Sequence, residues 1–322
     1  MQRDIRMDMD VYLTYITMSN KKHILVEGNS DQEMISKFTE RLVEKYSNFL
    51  GNIDIDIVGE LLRSCIENVR ERVLFISDFV NYKIKPKNFL SFIDREFWGF
   101  IIEPNIVDII SNHNVDGLTI CSRGHSIENY LFNSTILGEV FYNLSSLNNN
   151  QKNMAIILFK KIFIDSLKTA CAISITAFLF NKINKINKDP FHKYIEINDD
   201  FSFNLDNWIF FIKNKFQLED KVINEMSEKF LYIYRKVSIL DVDKIQWICH
   251  GHIGLQFLWD TFSKCVYSIT NGLSEDKRQK AFQNSRKFDT NTIFSIGTII
   301  WSYRYLNNQE VFCDDVVNFC LQ

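Results

Sequence analysis

His23-Ile24-Leu25-Val26-Glu27-Gly28-Asn29-Ser30-Asp31 reads as a strand, a tight turn and a helix start. A run of strand character ends in an acidic residue, and a glycine follows that permits a bend other residues resist. Ser30 or Asp31 can then accept a hydrogen bond from the free N–H groups that open the next helix. The Glu27 carboxylate is thereby left at the C-terminal end of a strand, the edge of an open α/β sheet where ligands bind. On its own, Val26-Glu27-Gly28 also fits a surface glutamate, because so short a motif recurs by chance.

A second acidic cluster gives the first its weight. Phe89-Leu90-Ser91-Phe92-Ile93 is a short apolar run ending in Asp94-Arg95-Glu96. Hard Mg²⁺ prefers oxygen ligands and is often held by only one or two protein carboxylates. Glu27 with Asp94 and Glu96 is therefore a candidate metal-dependent phosphoryl-transfer set. Asp78 competes for the same role, since Val73-Leu74-Phe75-Ile76-Ser77-Asp78 can be read as a strand ending in acid. Asp94 is preferred because Phe79-Val80-Asn81 supplies no second carboxylate, whereas Arg95 is followed by Glu96 after a strand bounded by Pro86.

These motifs resemble the Toprim domain, whose pattern is V-E-G-x-x-D after the first strand and D-x-D after a later one. Val26-Glu27-Gly28-Asn29-Ser30-Asp31 matches the first, and Glu96 stands where the second usually has aspartate. Gly117 to Leu131, a strand ending in a polar turn and then His125-Ser126-Ile127-Glu128-Asn129-Tyr130-Leu131 opening a helix, is similar to the Toprim branch that contains the AriB-like effectors of the PARIS anti-phage system. His250-Gly251-His252 and the apolar run after it resemble the later part of that branch.

The resemblance implies a cytoplasmic Mg²⁺- or Mn²⁺-dependent nuclease that cleaves host RNA, tRNA in particular, as the toxic arm of abortive infection. It further implies inhibition by a separate, AriA-like ABC-type ATPase, release when phage is sensed, and a homodimer seated in the helical half. OLD-family Toprim nucleases, which act on DNA, carry their ATPase in the same chain; no G-x-x-x-x-G-K-[ST] pattern occurs in these 322 residues. A Toprim-like fold that has lost catalysis and binds nucleic acid or a partner is the alternative to which the Glu96 departure points, and a DNA-cleaving enzyme is another.

The composition is that of a globular protein, 46% hydrophobic and 24% charged with 3 prolines. A formal net charge of −3 excludes a generally basic nucleic-acid glove, so a polyanion needs a local patch or a metal. The 7 cysteines show no C-x-x-C spacing and read as thiols of a reducing compartment. Met1 to Asp8 alternates charge and does not read as a signal peptide. Thr169 to Phe180 is too short for a bilayer, which takes about 20 residues, and reads as a buried helix.

The expected fold class is α/β, a Toprim-like, mainly parallel sheet flanked by helices, followed by a largely helical module. Val11, Tyr12, Leu13, Tyr15 and Ile16 form an apolar set whose helix or strand character the pattern leaves open. Asp31 to Tyr46 has helical spacing, and Ile53 to Gly59 alternates with period two, with Asp54 and Asp56 on its solvated face. Glu60 to Val80 is mostly helical, Pro104 to Asn112 is expected as a short helix, and Gly117 to Cys121 as a strand. Helices are expected at Glu128–Leu144, Asn153–Lys182, Asn204–Phe216, Lys221–Lys236, Gln246–Tyr267 and, with interruptions, Lys277–Leu306. The Asn-rich loop at 147–150 divides a catalytic domain, 1–146, from a helical one, 147–322, for dimerisation or for substrate or partner binding.

Other candidates carry two readings. His125 and Glu128 serve either in phosphate contact and proton transfer or as helix-start residues. Arg95, Arg123 and His252 are candidate substrate contacts, while Lys83, Lys85 and Lys87 are more simply a solvated basic loop. Cys249-His250-Gly251-His252 lacks zinc-site spacing. Phe201, Phe203, Trp208, Phe210, Phe211 and Phe216 are expected in helix packing rather than as a base-stacking platform.

Overall fold

The structure, a computed structural model, describes residues 7–46, 51–62, 68–84, 87–183 and 196–322. Cys65, Lys85 and Pro86 lie outside the described residues. Two compact units emerge: Met1–Arg95, Ile110–Ile127 and Thr298–Gln322 form the first; Glu96–Ile109 and Glu128–Gly297 form the second. Neither is continuous in sequence.

The first unit opens with a two-residue strand, β1 (Met7–Asp8), and helix α1 (Met9–Met18), which settles the ambiguous opening as helix. Tyr12, Leu13 and Ile16 are its buried stripe, while Val11 and Tyr15 face solvent. Then come β2 (Lys22–Val26), α2 (Asn29–Lys45), β3 (Ile53–Ile57), β4 (Leu61–Leu62), α3 (Val69–Phe79) and β5 (Phe89–Ile93). Val73 to Asp78 is helical, with Asp78 exposed on α3.

Among the described residues the main sheet has five strands, in the order β3-β2-β5-β9-β8, where β8 is Asn114–Asp116 and β9 is Thr119–Cys121. The first four run parallel and β8 pairs antiparallel with β9. The fold is thus α/β with a mostly parallel sheet and a helical C-terminal part. Strand β8 was not anticipated; three residues and a turn at Gly117 (φ 58°) leave little periodicity to read.

Both faces of the sheet are covered, as its continuous apolar strands require. Leu25, Phe89, Ile93 and Cys121 pack on one face with Tyr12, Leu13 and Ile16 of α1 and Val73, Ile76 and Val80 of α3 and its π-helical extension. On the other face α2 buries Met34, Ile35, Phe38 and Leu42. Phe312 bridges that face, its ring centroid 4.7 Å from Phe38 and 5.8 Å from Phe92. The C-terminal helix after it, Asp314–Leu321, was also unanticipated. Asp314 and Asp315 suit its N-terminus, and the Lys22 ammonium donates to the Phe319 and Cys320 carbonyls at its other end (2.8 and 2.9 Å).

At the foot of the sheet, Asp56 accepts from the Tyr12 hydroxyl and meets His23 Nδ1, each at 2.9 Å, while Asp54 takes Lys21 and Tyr15. Both acids serve as the polar face of β3, as its alternation suggested.

The second unit begins with a correction. Pro104 to Asn112 is not a helix: Phe100–Ile101 (β6) pairs antiparallel with Val107–Asp108 (β7). Ile106 is buried but Ile109 is exposed. The β-branched residues on both sides of Pro104 favour extended backbone, and the residue before a proline is biased away from the helix.

After a 3₁₀ turn (Ile127–Leu131) come α4 (Ser134–Leu144), α5 (Asn149–Leu179), α6 (Leu205–Phe216), α7 (Asp220–Ser238), α8 (Val242–Ile248), α9 (Gly251–Ile269) and α10 (Glu275–Ser285); α11 (Thr290–Leu306) leads back to the first unit. Asn148 caps α5 by accepting from the Gln151 N–H (3.0 Å), so the Asn-rich stretch is a helix start rather than only a loop. Helix α5 is long and apolar enough to cross a membrane by length and composition, but 67% of its most apolar window is buried in the fold. Phe141, Phe159 and Phe262 cluster beside it with centroids 4.8 to 6.1 Å apart. Trp208 is buried against Phe203 and Phe230, whereas Phe210 is exposed.

Gly254 of α9 lies under the Phe132 ring, and a Cβ there would stand 2.2 Å from Phe132 Cζ. Gly254→Ala should therefore lower the thermal midpoint despite alanine's better helix propensity, because overpacking typically costs about 1–3 kcal/mol. An unchanged or raised midpoint in a calorimetric scan would contradict this packing.

Candidate functional site

The chain passes from β2 outward to β3 and later returns to the opposite side of β2 as β5. Open α/β sheets bind ligands at the carboxyl ends of the strands where the order reverses in this way. In register, Val26 faces Phe92, so Glu27 and Asp94 emerge together from the C-terminal edge. Glu27 Oε1 accepts the Asp94 backbone N–H at 3.0 Å, which clamps the two strand ends together. Both residues are half-buried.

Helix α2 starts immediately after Glu27. Asp31 Oδ2 accepts the Gly28 N–H at 3.1 Å, so the helix start is tied back to the turn. Gly28 itself is extended (φ −154°), and the nearest atom to an added Cβ would be 4.0 Å away. The expected need for a glycine bend is therefore not met at this position: neither backbone angle nor packing requires glycine.

Arg95 departs from its expected role as a phosphate contact because its side chain is fully buried. Its N–H donates to Ser122 Oγ (3.1 Å) and its Nη1 to the Arg123 carbonyl (3.0 Å). Ser122 Oγ donates in turn to the Gly124 carbonyl at 2.6 Å. Arg95 and Ser122 thus fix the loop after β9 that carries Arg123 and His125. Sequence reading missed Ser122, and its small side chain gives no signal of this role. Arg123 is half-buried and His125 is buried, both on the loop leaving the same sheet edge.

The other candidates lie in the second unit. Glu96 is exposed and takes a left-handed backbone (φ 53°) just past the strand end. Glu128, 4% exposed, stands with Oε1 3.6 Å from Nε2 of the half-exposed His252. Asn129, also missed, joins the two motifs: its Nδ2 donates to the Gln246 and Cys249 carbonyls, both at 2.7 Å, across the break between α8 and α9. Burial, reinforced by the neighbouring His252, pushes the His250 imidazole down to about 3. Lys83 and Lys87, in the first unit, are both exposed.

Among the described residues no three His, Cys, Asp or Glu side chains are grouped as a metal cluster. The Glu27 and Asp94 pair matches the smaller requirement of Mg²⁺, which keeps several waters and needs one or two protein carboxylates. The six described cysteines are buried and form no disulfide. No family model matches this chain, and a search of curated proteins finds no match.

Burial and then the Arg123 charge hold the His113 imidazole down to about 4. The unfolded chain, with an ordinary histidine near 6.5, binds a proton that the folded chain refuses. Stability from this source is complete above about pH 6.5 and falls as the pH drops towards 4. His113→Phe should remove on the order of 2–3 kcal/mol of that acid-side loss in denaturant titrations. Identical pH profiles for variant and wild type would contradict the account.

Proposed function

We propose that this chain is a Toprim-like, metal-dependent phosphodiesterase that cleaves nucleic acid through the Glu27 and Asp94 pair. The observation that carries the reading is the hydrogen bond from Asp94 N–H to Glu27 Oε1 across the switch point of the sheet. Phosphoryl transfer asks chiefly for positioning and charge stabilisation, and this edge holds two carboxylates on rigid strand ends. An Mg²⁺ or Mn²⁺ ion held there would offset phosphate charge and lower the pKa of a bound water.

The chain's own residues divide the remaining work. Asp94 is fixed by its backbone bond to Glu27, and Glu27 serves as metal ligand or as base. Arg123 is the candidate phosphate contact, on a loop anchored by the buried Arg95. His125 follows on the same loop as the candidate proton carrier, and the Glu128 and His252 pair is a second candidate for substrate contact.

The preferred substrate is RNA, tRNA in particular, with the chain acting in the cytoplasm as the toxic effector of anti-phage defence. Restraint by a separate AriA-like ABC-type ATPase and homodimerisation belong to the same proposal, as does a DNA substrate as its alternative. The competing reading is a Toprim-like binding module without catalysis, which Glu96 in place of the usual second aspartate favours.

Glu27→Gln keeps an oxygen able to accept the Asp94 N–H, so the variant should melt like wild type. With Mg²⁺, wild type should cut total RNA, and Glu27→Gln and Asp94→Asn should each lose at least 100-fold in rate. Absence of cutting of RNA and of plasmid DNA by folded, partner-free protein would move the assignment to the binding module. Cutting of DNA alone would reject tRNA.

A further inference from the structure

Within the second unit, a cavity of about 390 Å³ opens between α5, α7 and the turn before α6. Ile197 bridges Phe203 to close that turn, and Asp200 Oδ1 accepts the Ser202 N–H at 2.9 Å and its hydroxyl at 2.6 Å. The Ser202 bonds hold the exposed Asp200 carboxyl below its ordinary value, so it stays ionised, and Oδ2 takes no bond among the described residues. Asp165 of α5 lines the same cavity and is also exposed. Neither Lys161 nor Lys168, one turn away on either side, is paired with it; Lys168 donates instead to the Ser238 carbonyl at 2.8 Å. Ser166 completes the polar lining, 6% exposed, and its hydroxyl has no hydrogen-bond partner among the described residues. A hydroxyl so buried is ordinarily satisfied, so the cavity lacks a donor that its occupant can supply.

The rest of the lining narrows the class of occupant. Phe203, Phe230 and Tyr234 give an aromatic wall, with ring centroids 5.5 Å apart for the first two and 6.0 Å for the stacked second pair. Among the described lining residues there is no Lys, Arg or His. Aromatic faces attract cations, and carboxylate and hydroxyl oxygens accept their N–H groups, whereas an anion finds no charged partner here. Two carboxylates without a counter-cation match two positive charges. An alkyl stem lies along apolar surface while its ammonium reaches for oxygen, as lysine side chains do. The volume falls within the roughly 300–1,000 Å³ of small-molecule sites.

We propose that this cavity binds a linear diamine or polyamine, its ammonium groups on Asp165, Asp200 and the Ser166 hydroxyl and its methylene chain along Phe203, Phe230 and Tyr234. Asp165, Asp200 and Ser166 have no part in the cleavage assigned to Glu27 and Asp94, and amine binding requires no metal, so the two assignments fail independently.

The test is isothermal titration of the full chain with spermidine, putrescine, butylamine, tetramethylammonium and uncharged 1,4-butanediol, at physiological salt so that diffuse attraction to the acidic chain is screened. Spermidine and putrescine should each bind at one site per chain, at least tenfold more tightly than the other three. Asp165→Asn and Asp200→Asn should each weaken putrescine at least tenfold. Both positions are exposed, and an asparagine at 200 still offers Oδ1 to the Ser202 N–H, so both variants should melt like wild type. Should either variant fail to fold, Ser166→Ala carries the test, with a weaker putrescine affinity expected. Absence of diamine binding by wild type, equal or tighter binding of butylamine, tetramethylammonium or butanediol, or putrescine binding unchanged in the folded variants overturns the proposal.

Discussion

The parallel pairing of β2 with β5, from His23 opposite Phe89 to Val26 opposite Phe92, is the constraint on which the candidate site depends. Each of these strands is apolar on both faces, so a slip of one residue would exchange the side chains that meet α1 and α3 with those that meet α2 and Phe312. Packing therefore fixes the register, and the register fixes where Glu27 and Asp94 emerge. The hydrogen bond between them is a consequence of core burial as much as of local chemistry.

A buried arginine extends that rigidity sideways. Removing a guanidinium from water is costly, and the cost is offset where its donors find fixed acceptors. Arg95 does so partly through the Arg123 carbonyl, and its backbone bond to Ser122 holds the neighbouring loop. The polar groups after β9 are thereby carried on a braced segment rather than a mobile one. In the second unit, Asn129 braces the α8 and α9 junction in a similar way, by satisfying two carbonyls that the helix break exposes.

Much of this was legible where periodicity is long. The apolar run before Glu27, the helical spacing of Met34, Ile35, Phe38 and Leu42, and the alternation of β3 all specify their elements. Short elements were not: β8 has three residues, and the β6 and β7 hairpin was read as a helix because Ile106, Ile109 and Ile110 mimic helical spacing over a segment too short to distinguish the periods. Side-chain roles were less visible still. An Arg between two acids reads as surface, yet a carbonyl that helps make Arg95 tolerable underground, that of Arg123, lies 28 positions away.

The central claim is that two carboxylates at the switch point of the sheet form one divalent-cation site. Electron paramagnetic resonance titration with Mn²⁺ reads this directly, without reference to substrate or partner. The account predicts one site per chain in wild type, weakened at least tenfold in folded Glu27→Gln and in folded Asp94→Asn. Stoichiometric binding that survives both substitutions, or no binding by wild type at millimolar Mn²⁺, would contradict it.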